Sequence, residues 1–295
     1  MDGENLRREL ADITKSLRRT LERELHAGGG DLIATAAKQK RKMAAKSGAG
    51  TAPAPAAAAE EIDLFGEPAP TKPAKVTPVT AFEAPAPLPA LDPGARAAIA
   101  RAAEPVLAKI AEEVRACRSC ALWETRGQAV PGVGSALAGI VFVGEAPGAE
   151  EDRLGEPFVG RGGQLLDRII KAMDDARLIP GLRLDRSTVF IGNVLHCRPP
   201  ENRVPLAFEV EQSSPHLRRQ LEALQPRIIC CLGKTAAEHL LGSKASLASM
   251  RGRVYRVYGA KLIVTYHPAA VLRNPELKRP VWEDMQLLAR EYQTE

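Results

Sequence analysis

PRIICCLGKTAAEHLLG, residues 226–242, carries two periodicities on either side of one glycine. Ile228 to Leu232 form a short, near-continuous apolar run of the kind a parallel strand needs when both of its faces are covered. Beyond Gly233, Ala236, Ala237, Leu240 and Leu241 recur at helical spacing. The first pattern returns in GIVFVG (139–144), STVFIGN (187–193) and KLIVTYH (261–267). The second returns in GGQLLDRIIKAMDDA (162–176), PLAFEVEQSSPHLRRQLEAL (205–224) and VWEDMQLLAREY (281–292). Such alternation predicts a three-layer α/β/α sandwich with a mainly parallel central sheet. Ligands of such sheets sit at the carboxyl ends of the strands, where the loops GEAPG, NVLHCRPP and YHPAAVLR fall.

Upstream the character changes. Leu6, Leu10, Ile13, Leu17, Leu21 and Leu25 predict an amphipathic helix over residues 4–26, ended by Gly28 to Gly30. KQKRKMAAK (38–46) follows, with five basic residues and no acid. From residue 48 to 94 the chain is mostly Ala, Pro and small polar residues, too poor in apolar surface to offset the entropy of ordering. The division is therefore 1–47 (amphipathic helix and basic tail), 48–94 (disordered Ala/Pro-rich linker) and 95–295 (globular domain, opening with an Ala-rich helix over 95–115). The opening residues contain no apolar signal region, and no uninterrupted apolar span is long enough to cross a bilayer, so a cytosolic protein is expected. Five cysteines, two of them in a C-x-x-C, fit metal or redox chemistry in a reducing compartment better than a disulfide framework. A formal charge of +5 hints at a polyanionic partner.

Three groups carry chemistry. GEAPGAEED follows a strand as a phosphate loop would, but it lacks the terminal Gly-Lys-Ser/Thr, and the GVGSALAG run precedes its strand instead of following it. Glu145, Glu151 and Asp152 instead bring carboxylates to a pocket rim, with a solvated acidic turn as the rival reading for the last two. In TYHPAAVLR, His267 ends a strand and Pro268 is expected to keep a helix from starting there. Cys117 and Cys120 form a C-x-x-C at a helix end, and Cys197 returns from far along the chain. A redox dithiol belongs after the first strand of a βαβ unit, whereas this pair precedes it. Cys230 and Cys231 read as small core hydrophobes.

Taken together, GEAPGAEEDRLGEPFVGRGGQLLD, FIGNVLHCRPPENRVP, PRIICCLGKTAAEHLLG and VTYHPAAVLR resemble the bacterial and archaeal iron-sulfur uracil-DNA glycosylases called family 4. The resemblance covers about residues 110–295, in order. It implies an enzyme of base excision repair that flips deoxyuridine from DNA, hydrolyses its N-glycosidic bond and leaves an abasic site, without magnesium or a nucleotide cofactor. It also implies that Ala146, Phe158 and Asn193 bind uracil, Phe158 by stacking and Asn193 by reading the pairing edge. His267 would donate to a uracil carbonyl oxygen, Glu145 would orient water or stabilise the cationic sugar, and Glu151 or Asp152 would share that work. Val271 and Leu272, flanked by Arg273, are similar to the wedge that fills the hole left by a flipped base. Arg198, Arg203, Arg251 and Arg253 are expected phosphate contacts. Cys117, Cys120 and Cys197 would hold a 4Fe-4S cluster.

Ser213 stands where the family has its fourth cluster cysteine. An alkoxide is a poorer iron ligand than a thiolate, so the cluster is labile, three-cysteine, completed by another group, or absent, and a structural zinc is the alternative occupant. Two rivals follow: a uracil-DNA binding protein with weak or no turnover, and a redox or zinc α/β protein acting on small molecules. The superfamily's covalently trapping members carry a basic insertion with histidine after the Asn strand, which the compact CRPPENRVP turn lacks. Within the linker, Ile62, Asp63, Leu64 and Phe65 resemble the core of the pentapeptide by which bacterial repair proteins dock on the sliding clamp, with chance as an even rival. The catalytic domain is expected to be a monomer.

Overall fold

The computed structural model describes residues 92–294; the expected N-terminal helix, the basic tract, the clamp-like segment and the linker up to residue 91 lie outside the described residues. Helix α1 (Pro93–Ala116) leads through the short α2 (Leu122–Thr125) into a six-stranded sheet. The strands are β1 (Val133–Gly134), β2 (Ile140–Gly144), β3 (Phe190–Asn193), β4 (Ile228–Leu232), β5 (Val254–Val257) and β6 (Ala260–Thr265). Their order across the sheet is β1-β3-β2-β4-β6-β5. The four central strands run parallel, whereas β1 and β5 pair antiparallel at the two edges. The mainly parallel sheet is thus as expected. The edge strands escaped the sequence reading because β1 has two residues and β5 alternates exposed and half-buried positions.

Each central strand is buried along its whole length, and alternate residues supply opposite cores. Val141, Val143, Ile229, Cys231, Leu262 and Val264 point toward α1, α5 (Ala207–Leu224), α6 (Lys234–Leu241) and α7 (Leu247–Met250). Ile140, Phe142, Ile191, Cys230 and Ile263 point toward α4 (Arg161–Asp175) and α9 (Lys278–Gln293). This is the three-layer sandwich. Fully burying an aliphatic side chain of this size stabilises by about 1.5–3 kcal/mol, which is why apolar runs on both faces specify the layers.

Two prolines start helices, and at Pro268 this is where a stop was expected. Pro93 is the first residue of α1, capped by Asp92, whose Oδ1 accepts from Gly94 N at 2.9 Å, so the helix begins inside the expected linker. Pro268 opens α8 (Pro268–Arg273), capped by His267. The first turn of a helix has no use for that missing N–H, and proline's φ is already helical. After the double proline at 199–200, Glu201 and Asn202 turn the chain through left-handed backbone, each with φ 55°.

Candidate active site

The loops after β2, β3 and β6 meet at the carboxyl edge of the sheet, with the turn that carries Phe158. Register places Gly144 of β2 beside Asn193 of β3. A Cβ on Gly144 would lie 2.4 Å from Asn193 Oδ1 and 2.6 Å from Phe158 Cζ, so only glycine leaves the slot between them open. Asn193 is 2 % exposed and its Oδ1 has no hydrogen-bond partner. An orphaned buried acceptor costs about 1–3 kcal/mol, a debt that a ligand N–H would remove.

Phe158 is buried and holds a left-handed φ of 54°, uncommon for a non-glycine residue. The guanidinium of Arg186 clamps it there. Nη1 donates to Phe158 O (3.1 Å) and to Asp167 Oδ1 (3.0 Å), Nη2 to Pro157 O, and Nε to Glu156 Oε1 (3.0 Å). Gly163 completes the support, since a Cβ there would collide with the Phe158 carbonyl. Nothing near Phe158 in sequence identifies Arg186, which stands 28 residues away.

His267 borders the same slot, its ring centroid 5.6 Å from that of Phe158 and tilted by 33°. As N-cap of α8 its Nδ1 accepts from Ala269 N at 3.2 Å. The neutral ring therefore carries its proton on Nε2, which makes Nε2 a donor. Burial lowers its pKa to about 4; Arg273 adds to that and Glu151 opposes it. At neutral pH the imidazole is uncharged.

The three carboxylates separate. Glu145, on the β2 loop, accepts from Thr235 Oγ1 at 2.5 Å. Glu151 Oε1 accepts from Val159 N (3.0 Å) and Gly160 N (2.9 Å), and its Oε2 from Gly148 N (3.1 Å). Both Asp152 oxygens accept from Gly127 N, at 2.9 and 3.0 Å. From α3 (Ala149–Leu154), Glu151 thus staples the Phe158 turn to the β2 loop, and Asp152 fastens the segment before β1; both sit apart from the free rim expected for them. Ala146 is half-buried against the core beside this loop.

The expected DNA face divides too. Val271 is 2 % exposed and packs with Leu165 and Val281, so the apolar tip narrows to Leu272, which is 37 % exposed, with Arg273 on the surface beside it. Arg251 Nε donates to the buried Asp284 at 2.8 Å and Nη2 to Pro280 O at 2.8 Å, with the guanidinium stacked over Tyr266. Arg203 is bidentate to the buried Glu209, at 2.6 and 2.9 Å. These two cations serve the interior, contrary to expectation, because each answers a buried carboxylate that sequence alone does not reveal. Arg198, bonded to Asn202 through Nε, and the exposed Arg253 remain available to a phosphate.

A second, small pocket is lined by Cys117, Cys120, Cys197 and Ser213, with His196 and His216. Arg126, missed in the sequence, ties its parts together: Nη1 donates to Cys197 Sγ (3.0 Å) and Nη2 to Arg115 O (2.6 Å) at the end of α1. Burial raises the Cys197 thiol pKa, and Arg126 opposes that shift. Ser213 Oγ lies 2.8 Å from His196 Nδ1. Among the described residues no three His, Cys, Asp or Glu side chains converge closely enough to hold one metal ion.

Residues 131–286 match the model of the uracil DNA glycosylase superfamily. The chain is 45 % identical over 183 residues to the type-4 uracil-DNA glycosylase of Archaeoglobus fulgidus (59 % of this chain, 87 % of the relative). It is 44 % identical over 183 residues to that of Saccharolobus solfataricus (59 % and 81 %) and 40 % over 187 residues to that of Thermotoga maritima (62 % and 93 %). Because the matched span holds the slot formed by Gly144, Phe158, Asn193 and His267 as well as the sheet beneath it, the chain belongs to the uracil-DNA glycosylase superfamily.

Proposed function

We propose that this chain is a repair glycosylase that excises uracil from DNA, as the names of its type-4 relatives say of them. The observation that carries the reading is the orphaned Oδ1 of Asn193 beside the Phe158 ring. Uracil brings a ring N–H to that acceptor and a carbonyl to the amide donor. Cytosine presents an unprotonated ring nitrogen and an amino group, so both contacts are mismatched, at about 1–3 kcal/mol each. A flat pyrimidine reaches the slot only after rotating out of the duplex, which favours bases whose pairing is already weakened.

Cleavage of the N-glycosidic bond leaves negative charge on the uracil ring and positive charge on the sugar. The Nε2–H of neutral His267 donates to the uracil carbonyl as that charge develops. Glu145 orients the attacking water or faces the cationic sugar. Glu151 and Asp152 act by holding the loops, and Leu272 with Arg273 fills the space the base leaves. A labelled duplex with one deoxyuridine, treated with protein and then alkali, is cut at that position if the reading holds. Binding without a cut would instead mark a lesion-binding protein.

We also propose a 4Fe-4S cluster in the second pocket. Cys117, Cys120 and Cys197 line one pocket together with Ser213, and a donor set of three thiols suits iron-sulfur chemistry. Cys117, Cys120 and Cys197 would hold it, and Ser213, whose hydroxyl is bonded to His196, lines the same pocket. Bound there, the cluster would cross-link the end of α1 to the loop after β3. Iron and sulfide analysis of anaerobically purified protein, with its visible spectrum, tests this.

A further inference from the structure

We infer that Thr235 is a positioning residue for the glycosidic step, acting through Glu145. Its hydroxyl donates to Glu145 Oε2 across 2.5 Å, the length of a strong hydrogen bond to a carboxylate. Thr235 is the second residue of α6, and what precedes it is rigid. Gly233 N donates to Thr265 O at 2.9 Å, so the turn between β4 and α6 is laced to the end of β6, two residues before His267. The Gly233 backbone also abuts His267, since a Cβ added there would lie 3.2 Å from the His267 Cβ. Behind the turn, Ala236, Ala237 and Leu240 bury α6 against the sheet. The neighbouring cation, Lys234, is paired with Glu238 at 3.3 Å. One turn therefore supports both groups proposed to act on the glycosidic bond. It braces His267 from the side, and through Thr235 it holds one oxygen of Glu145.

The inference rests on the reading of Glu145 as a catalytic carboxylate, and four variants separate the two ideas. Thr235→Val keeps the shape and removes the donor; Thr235→Ser keeps the donor. Single-turnover release of uracil should fall about 10- to 100-fold in Thr235→Val, the range expected for a hydrogen bond to a charged group. The dissociation constant for uracil-containing duplex should stay within about twofold, because the bond orients a catalytic group and does not hold the base. Thr235→Ser should recover the rate to within about threefold. In a Glu145→Gln background, adding Thr235→Val should change the rate by less than about twofold, since the hydroxyl has no carboxylate left to orient. A Thr235→Val rate within threefold of the parent, a Thr235→Ser enzyme as slow as Thr235→Val, or losses that multiply in the double variant would each overturn the inference. A fully active Glu145→Gln enzyme would overturn the reading of Glu145, and Thr235 with it. A slow Glu145→Gln enzyme beside a fast Thr235→Val enzyme overturns only the role of Thr235.

Discussion

Gly144→Ala probes the slot with a single methyl group. The new Cβ would stand 2.4 Å from Asn193 Oδ1, 2.6 Å from Phe158 Cζ and 2.9 Å from Phe158 Cε2, all below any tolerable contact. None of the three can step aside easily. Asn193 is a β3 residue paired with Gly144 itself, and Val194 N donates to the Gly144 carbonyl at 3.0 Å. The Phe158 backbone is clamped by Arg186. Overpacking of this kind costs about 1–3 kcal/mol, and a bound uracil that loses its contact with Asn193 forfeits about 1–3 kcal/mol more. The overpacking burdens the free and the base-bound protein alike, so the lost contact alone weakens the base-bound state, by roughly 5- to 140-fold at 1.4 kcal/mol per tenfold. The assay is single-turnover release of uracil from a labelled duplex, paired with inhibition by free uracil and a thermal melt. Release and inhibition should weaken together, while the melting temperature drops by only a few degrees. A folded Gly144→Ala protein with parental rate and parental uracil inhibition would show that the base binds elsewhere.

His267→Ala should lower the single-turnover rate about 10²- to 10³-fold with the fold retained, measured on the same duplex. The pH behaviour of that side chain has a definite sign. Its folded pKa of about 4 lies below the ordinary value of 6.5, so the unfolded chain takes up its proton first on acidification. Its contribution to stability is complete above about pH 6.5 and is lost as pH falls toward 4, with His196, also held near 4, adding in the same direction. Denaturant melts between pH 7 and 4 should show this fall, and His267→Gln should flatten part of it. Arg251→Met should destabilise by about 3–5 kcal/mol, because Asp284 is 3 % exposed and keeps only Thr265 as a partner; urea titration measures it. Glu151→Gln, which retains one acceptor oxygen for three backbone donors, should raise the dissociation constant for uracil duplex several-fold more than it lowers the rate at saturation.

From the sequence alone, the alternation of apolar runs and helical stripes determined the sandwich and its parallel centre, because strand and helix periodicities are local. Turn chemistry likewise marked the strand ends bearing Glu145, Asn193 and His267. Proline misled at position 268, since one residue that ends helices also begins them and the difference lies in the cap before it. Only the tertiary structure decided which polar groups answer one another. Thr235 reaches Glu145 across 90 residues, Arg126 reaches Cys197 across 71, and Arg251 reaches Asp284 across 33. Tertiary packing also decided that Val271 lies inside while Leu272 stands out. Such pairings follow from strand order and register, which bring distant loops to one edge of the sheet, and no local pattern in a chain encodes a distance of that kind.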